Sequence, residues 1–163
     1  MTDLPDSAAP SAPAHVLTLT LNPALDIATR VGRVTAGPKL RCAAPQYDPG
    51  GGGLNVSRAL RHLGGDSLAL VGLGGATGER LAALIRDEGV AFLAILAPGE
   101  TRLSLTVTED ATGQQFRFLL PGPEWDEDAQ ARVLSLLERT ARPGGIAVIS
   151  GSQPPGVAPD FPA

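Results

Sequence analysis

Cysteine, aromatic residues and lysine are all scarce in this 163-residue sequence, and each shortage closes off a class of function. The lone Cys42 excludes an intrachain disulfide and any cysteine-cluster metal site. A buried or half-buried structural thiol is its expected role, and such sparse cysteine usage fits a reducing cytoplasm. Aromatics make up only 4% of residues, so the core must be built mostly from aliphatic side chains. Basic residues do not outnumber acidic ones: the formal net charge is −4, which argues against a general nucleic-acid or anionic-membrane binder. Any phosphate site has to be a local basic cluster. Lys39 is the single lysine beside twelve arginines, which marks it either as a place where a compact ammonium is needed or as chance.

Longer patterns are missing too. No apolar run approaches the ~20 residues of a membrane span, and the N-terminus has neither the basic nor the apolar region of a secretory signal. No G-x-x-x-x-G-K-[ST] phosphate loop occurs. The run Gly72-Leu73-Gly74-Gly75-Ala76-Thr77-Gly78 follows a strand pattern, but its third glycine comes one place late for a dinucleotide fingerprint. His15 and His62 are isolated, with nothing at ligand spacing, so no metal site is expected. Ser57 and the other serines lack a nucleophile elbow.

What is present in quantity is glycine (20) and proline (15), hence many turns. Residues 1–14, rich in Ala, Pro, Ser and Asp, read as a disordered leader ahead of one domain over 15–163. The pattern predicts strands over 15–21, 27–34, 67–71, 90–96, 102–109, 114–120 and 145–150, an extended segment over 39–44, and helices over 79–88 and 126–141. Strands alternating with helices imply an α/β fold with a mostly parallel sheet. The polar, alternating segments 27–44 and 102–120 do not fit that core and read as a separate small antiparallel sheet. The tail from Gln153 is proline-rich and cannot continue as a helix.

The chain is organised around Asp48-Pro49-Gly50-Gly51-Gly52-Gly53-Leu54-Asn55. Four glycines in a row allow a ligand to approach the main chain closely. They open a helical pattern ending at Gly64-Gly65, in which Leu54, Ala59, Leu60 and Leu63 can share a buried face. A helix start offers free N–H groups at the positive end of its dipole, suited to oxygen-rich or anionic ligands; a plain flexible loop is the alternative. Asp26, in the turn after the first strand, Asn55, after the glycines, and Ser150-Gly151-Ser152, after the last strand, could converge where open α/β sheets bind ligands. As isolated residues they are equally a turn aspartate and an ordinary loop. Lys39, Arg41, Arg102 and Arg117 fall on the polar strands. With no phosphate-loop motif, and with Asp26 and Asn55 beside it, the glycine run reads as a sugar site rather than a nucleotide-phosphate site.

These residues resemble the ribokinase-like, PfkB-type carbohydrate kinases. The resemblance rests on Leu19-Thr20-Leu21-Asn22-Pro23-Ala24-Leu25-Asp26, Lys39-Leu40-Arg41-Cys42, Pro49 to Asn55 with Arg58-Ala59, His62-Leu63-Gly64-Gly65, Gly74 to Glu79, and Ser150 to Gly156, in the family's order. The Lys-Leu-Arg-Cys run followed by Pro-Gly-Gly-Gly-Gly is most similar to the minor bacterial 6-phosphofructokinase branch. The resemblance implies an α/β/α sandwich with a β-sheet lid formed by the polar strands, and a cytoplasmic homodimer made by two clasped lids. It implies ATP- and Mg²⁺-dependent phosphoryl transfer to fructose 6-phosphate, giving fructose 1,6-bisphosphate. Tagatose-6-phosphate kinase and 1-phosphofructokinase are neighbouring alternatives, and a non-catalytic sugar-phosphate-binding or lid-dimerisation module is a further one.

By the same resemblance, Asp26 would bind sugar hydroxyls, and Gly51, Gly52 and Asn55 would line the sugar site. Lys39 would stand near the phosphates, Arg102 would reach the sugar phosphate across the dimer, and Ser152 would belong to the sugar pocket. The family's Gly-Ala-Gly-Asp run, which carries the general base and an anion hole, has no counterpart here. The implied reading is an N-terminal half with most sugar contacts, no catalytic residue, an incomplete nucleotide site, and apolar surface that lowers solubility.

Overall fold

In the computed structural model, residues 15–158 and 160–161 are described. The expected leader, 1–14, lies outside them. Eight strands and three helices follow in the order β1 (Val16–Thr20), β2 (Ala24–Val31), β3 (Gln46–Gly50), α1 (Gly52–His62), β4 (Leu68–Leu73), α2 (Gly75–Asp87), β5 (Phe92–Leu96), β6 (Arg102–Glu109), β7 (Gln115–Leu119), α3 (Glu127–Thr140) and β8 (Ile146–Ile149). They form two four-stranded sheets, β5-β4-β1-β8 and β3-β2-β6-β7.

The first sheet is parallel throughout, and its central strands β1 and β4 are buried, whereas the edge strands β5 and β8 leave Leu93, Leu96, Ile146 and Ile149 exposed. Alternation along β1 explains the layering. Leu17 and Leu19 turn to one face, where they pack with Leu21, Leu70, Ile95 and the α3 side of the molecule through Trp125, Ala129 and Val133. The other face belongs to α1 and α2, where Leu54, Leu81 and Ile85 bury against Ala69, Val71 and Leu73. Burying each large aliphatic side chain contributes about 1.5–3 kcal/mol, and these two clusters hold the layers together. Helix α3 starts as its sequence predicts: Asp126 caps it, accepting from the Ala129 N–H at 2.7 Å, with Glu127 and Asp128 in the first turn and Arg139 in the last.

The second sheet departs from expectation in three ways. Its central pair, β2–β6, is parallel, and only β2–β3 and β6–β7 are antiparallel. Both β2 and β6 leave the same end of the parallel sheet, after β1 and β5, so they run in the same direction. The strand expected over 27–34 begins earlier, at Ala24, which puts Asp26 inside β2 rather than in a turn. The strand expected near 39–44 lies instead at Gln46–Gly50, so the chain enters the glycines directly from sheet. Residues 35–46 are exposed, and Cys42 among them is an exposed thiol, not a buried one. That segment touches β2 through the Ala43 N–H to Arg30 carbonyl bond (2.8 Å) and the Thr29 hydroxyl to Ala43 carbonyl bond (2.8 Å).

Helix α1 also buries a different stripe. Gly53, Leu54 and Ser57 face the core, whereas Ala59 is exposed and Leu63 is 84% exposed. Helix α2 begins at Gly75, four residues before the pattern suggested, because a distant carboxylate caps it. Glu100 accepts from the N–H groups of Ala76 and Thr77, each at 3.1 Å, and the Thr101 hydroxyl accepts from the Gly74 N–H at 3.0 Å. The Arg80 guanidinium stacks 3.5 Å from the Tyr47 ring centroid, joining α2 to β3.

Candidate functional site

The glycine run sits where the two sheets meet. Gly51 has φ +138°, a backbone angle that L side chains rarely adopt, and it turns the chain from β3 into α1. The neighbouring glycines are required by close approach. A Cβ on Gly52 would lie 2.6 Å from both the Gly151 nitrogen and the Ser150 Oγ, and one on Gly53 would lie 2.4 Å from the Leu19 carbonyl oxygen. One on Gly50 would lie 2.3 Å from the Asp26 Oδ2. The absent side chains therefore let three separate segments close on the loop: the end of β1, the exit of β8 and the Asp26 carboxylate.

The start of α1 is partly satisfied from within. The Gly53 N–H donates to the Ser150 carbonyl at 3.0 Å and the Leu54 N–H to the Thr20 Oγ1 at 2.8 Å. Fewer N–H groups are left for a ligand than four glycines at a helix start suggest. The α2 start is filled still more completely, by Glu100. Its hydrogen bonds from Thr77 and Ala76 hold the carboxyl below the ordinary carboxylate value. The Gly72–Gly78 run is thus a self-capped helix start, in agreement with its failure as a dinucleotide motif.

Register assigns the polar residues of the second sheet to one face. Asp26 pairs with Asp48 on one side and Ser104 on the other, and Ala24, two residues away, pairs with Arg102 and Gly50. Residues two apart on a strand share a face, so Asp26, Asp48, Ser104 and Arg102 lie together. The opposite face carries Leu25, Ile27, Tyr47, Leu105 and Phe118. Far from the loop, the β6–β7 hairpin is tied to β2 by the Arg30–Asp110 ion pair at 2.6 Å. The buried Glu109 accepts from the Val34 N–H at 2.8 Å and from the Thr112 hydroxyl, and both bonds hold its carboxyl low.

Asn22, which sequence reasoning gave no role of its own, links the two sheets. Its carbonyl accepts from the Arg102 Nε at 3.2 Å, and its Nδ2 donates to the Ser152 Oγ at 3.1 Å. Asp26, Gly51, Gly52, Arg102 and Ser152 are thus brought together around the glycine loop, with Asn55 exposed in the first turn of α1. Lys39 is not among them: it lies on the exposed connection between β2 and β3, and among the described residues no ion pair or hydrogen bond joins it to the loop. No cluster of three or more His, Cys, Asp or Glu side chains among the described residues could hold a metal ion. No helix among the described residues is long and apolar enough to cross a membrane.

Residues 19–160 match the pfkB family carbohydrate kinase pattern. The chain is 50% identical over 147 residues to the ATP-dependent 6-phosphofructokinase isozyme 2 of Mycobacterium tuberculosis, covering 90% of this chain and 43% of that protein. It is 47% identical over 143 residues to the isozyme 2 of Escherichia coli, covering 88% and 46%. The crystal structure of the Escherichia coli phosphofructokinase-2 in complex with fructose-6-phosphate superposes with a TM-score of 0.84 at 45% identity, over 89% of this chain and 48% of the other. The chain thus spans a little under half the length of the relatives it matches. Since the family match spans residues 19–160, most of its length, this chain belongs to the pfkB family of carbohydrate kinases.

Proposed function

We propose that this chain forms the sugar-phosphate side of a cytoplasmic, ATP- and Mg²⁺-dependent kinase that phosphorylates fructose 6-phosphate. One observation carries the reading: the Asp26 carboxylate leans over Gly50, while Gly52 abuts the Ser150–Gly151 exit. A carboxylate, a bare main-chain floor and a serine exit thus surround one spot. A carboxylate suits sugar hydroxyls because it accepts several hydrogen bonds and donates none. In this reading Asp26 accepts from two sugar hydroxyls. The floor at Gly51 and Gly52 lets the sugar ring approach the backbone, and Asn55 and Ser152 supply further polar contacts. Arg102 directs its guanidinium to the phosphate, its Nε already anchored on Asn22. Lys39, on its exposed connection, supplies positive charge to the phosphate-bearing side.

The nucleotide would supply the phosphoryl group in the whole enzyme. The described residues do not fit it: α2 is capped by Glu100, two N–H groups of α1 are taken by Thr20 and Ser150, and no acidic cluster suits a divalent ion. No step of phosphoryl transfer is therefore assigned to these residues, which bind and orient the acceptor. The isolated chain is expected to give no ATP-dependent phosphorylation of fructose 6-phosphate; turnover well above background would overturn that.

The second sheet would be the lid. Phe118, Leu119 and Leu120, all more than half exposed on or beside β7, support lid-to-lid association of two copies. Titration calorimetry with fructose 6-phosphate on the 163-residue chain tests the sugar site. Saturable binding that is lost in Asp26→Ala is the expected result, and no heat at millimolar ligand would reject it.

A further inference from the structure

Arg58 makes contacts beyond a surface ion pair. Its Nε and Nη2 grip the two oxygens of Glu88, at the end of α2, at 2.5 and 2.7 Å. Both side chains are about three-quarters shielded from solvent. The remaining nitrogen, Nη1, donates to the Pro49 carbonyl at 2.9 Å and to the Asn55 Oδ1 at 3.2 Å. Pro49 is the last residue before the four glycines and Asn55 lies two residues after them. One guanidinium therefore holds both flanks of the glycine run and is itself oriented by a carboxylate from the next helix.

We infer that Arg58 is a positioning residue for the sugar site, acting through Asn55 and braced by Glu88. The inference rests on the proposed sugar-binding reading. Its chemical content is specific. An asparagine amide has one acceptor oxygen and one donor nitrogen. With Oδ1 held by Arg58, the amide cannot flip, and Nδ2 is the atom left to face a ligand. Asn55 then offers N–H donors to a sugar or phosphate oxygen. Lysine cannot replace the fork, because a single ammonium cannot grip Glu88 by two parallel bonds and reach both Pro49 and Asn55. Glu88 adds a link between α2 and the loop, so the glycine run is held from outside its own helix.

The test uses the whole 163-residue chain with Arg58→Lys, Arg58→Met, Asn55→Ala and the double variant Arg58→Met/Asn55→Ala. In ¹⁵N–¹H spectra, the Asn55 side-chain amide pair is expected to move toward free-amide positions in both Arg58 variants, without ligand. If Arg58→Met does not fold, Arg58→Lys carries this readout. An unmoved Asn55 amide in a folded Arg58 variant overturns the inference. By calorimetry, affinity for fructose 6-phosphate is expected to fall about tenfold in Arg58→Met, the weight of one oriented hydrogen bond. It should fall no further when that change is added to Asn55→Ala; additive losses would show that Arg58 does not act through Asn55. A wild-type chain that binds no fructose 6-phosphate, with the amide shift still present, would reject the sugar reading and leave the Arg58 clamp standing.

Discussion

The hydroxyls of Thr18 and Ser57 lie 2.8 Å apart, fully buried between β1 and α1, and join positions 39 residues apart. Removing one hydroxyl strands the other. Thr18→Val or Ser57→Ala alone is expected to cost about 1–3 kcal/mol, and the double change less than the sum, because an unmade buried bond costs more than a pair removed together. Urea unfolding midpoints at constant slope measure this, and strictly additive losses would contradict the pairing.

The glycines of the loop separate stability from binding. Gly53→Ala drives a methyl against the Leu19 carbonyl, which cannot move without shifting β1, so a loss of about 1–3 kcal/mol is expected. The nearest atoms that Gly50→Ala meets are those of the Asp26 carboxylate, a side chain that can rotate away. That variant should keep most of its stability and lose affinity for fructose 6-phosphate. Thermal melts paired with calorimetry check both, and equal stability losses would count against the geometry.

Acid should weaken the start of α2. The Glu100 carboxyl sits below its ordinary value of 4.5, held there by the Thr77 and Ala76 hydrogen bonds. A lowered value in the folded state contributes stability above the ordinary value, and that contribution is lost as pH falls through the folded one. Glu100→Gln is therefore expected to melt lower than wild type near neutral pH. The gap should close as the solution is acidified below the ordinary carboxylate range. A gap that persists unchanged in acid would mean that Glu100 does not act as a charged cap.

Association through β7 can be weighed directly. The chain is expected to elute as a dimer in light-scattering chromatography, and Phe118→Glu as a monomer with an unchanged melt. Wild-type monomer at high concentration would rule out that surface as a self-association site.

The parallel sheet was legible because its strands are short apolar runs, and α3 because Asp126 and the acidic first turn announce it. Long-range relations were not. The parallel β2–β6 pairing depends on where two distant segments leave the first sheet, which no local alternation encodes. The α2 start depends on Glu100, more than twenty residues downstream. Cys42 sits in a segment that reads as extended, yet the chain there stays outside both sheets. Among the candidate residues, Asp26 and the glycines were recognisable by their spacing, although Asp26 lies in a strand. Asn22 was readable only as part of a motif, because its bonds to Arg102 and Ser152 span both sheets. Lys39 stood out by rarity, and rarity says nothing of position.

The second sheet is joined to the first layer system by four separate crossings: β1 to β2, β3 to α1, β5 to β6 and β7 to α3. Any relative displacement of the two sheets must distort all four connections at once, including the glycine turn at Gly51 and the Asn22–Pro23 step. A lid movement of this sheet would therefore pass through all four connections together, with the glycine turn as one of its pivots.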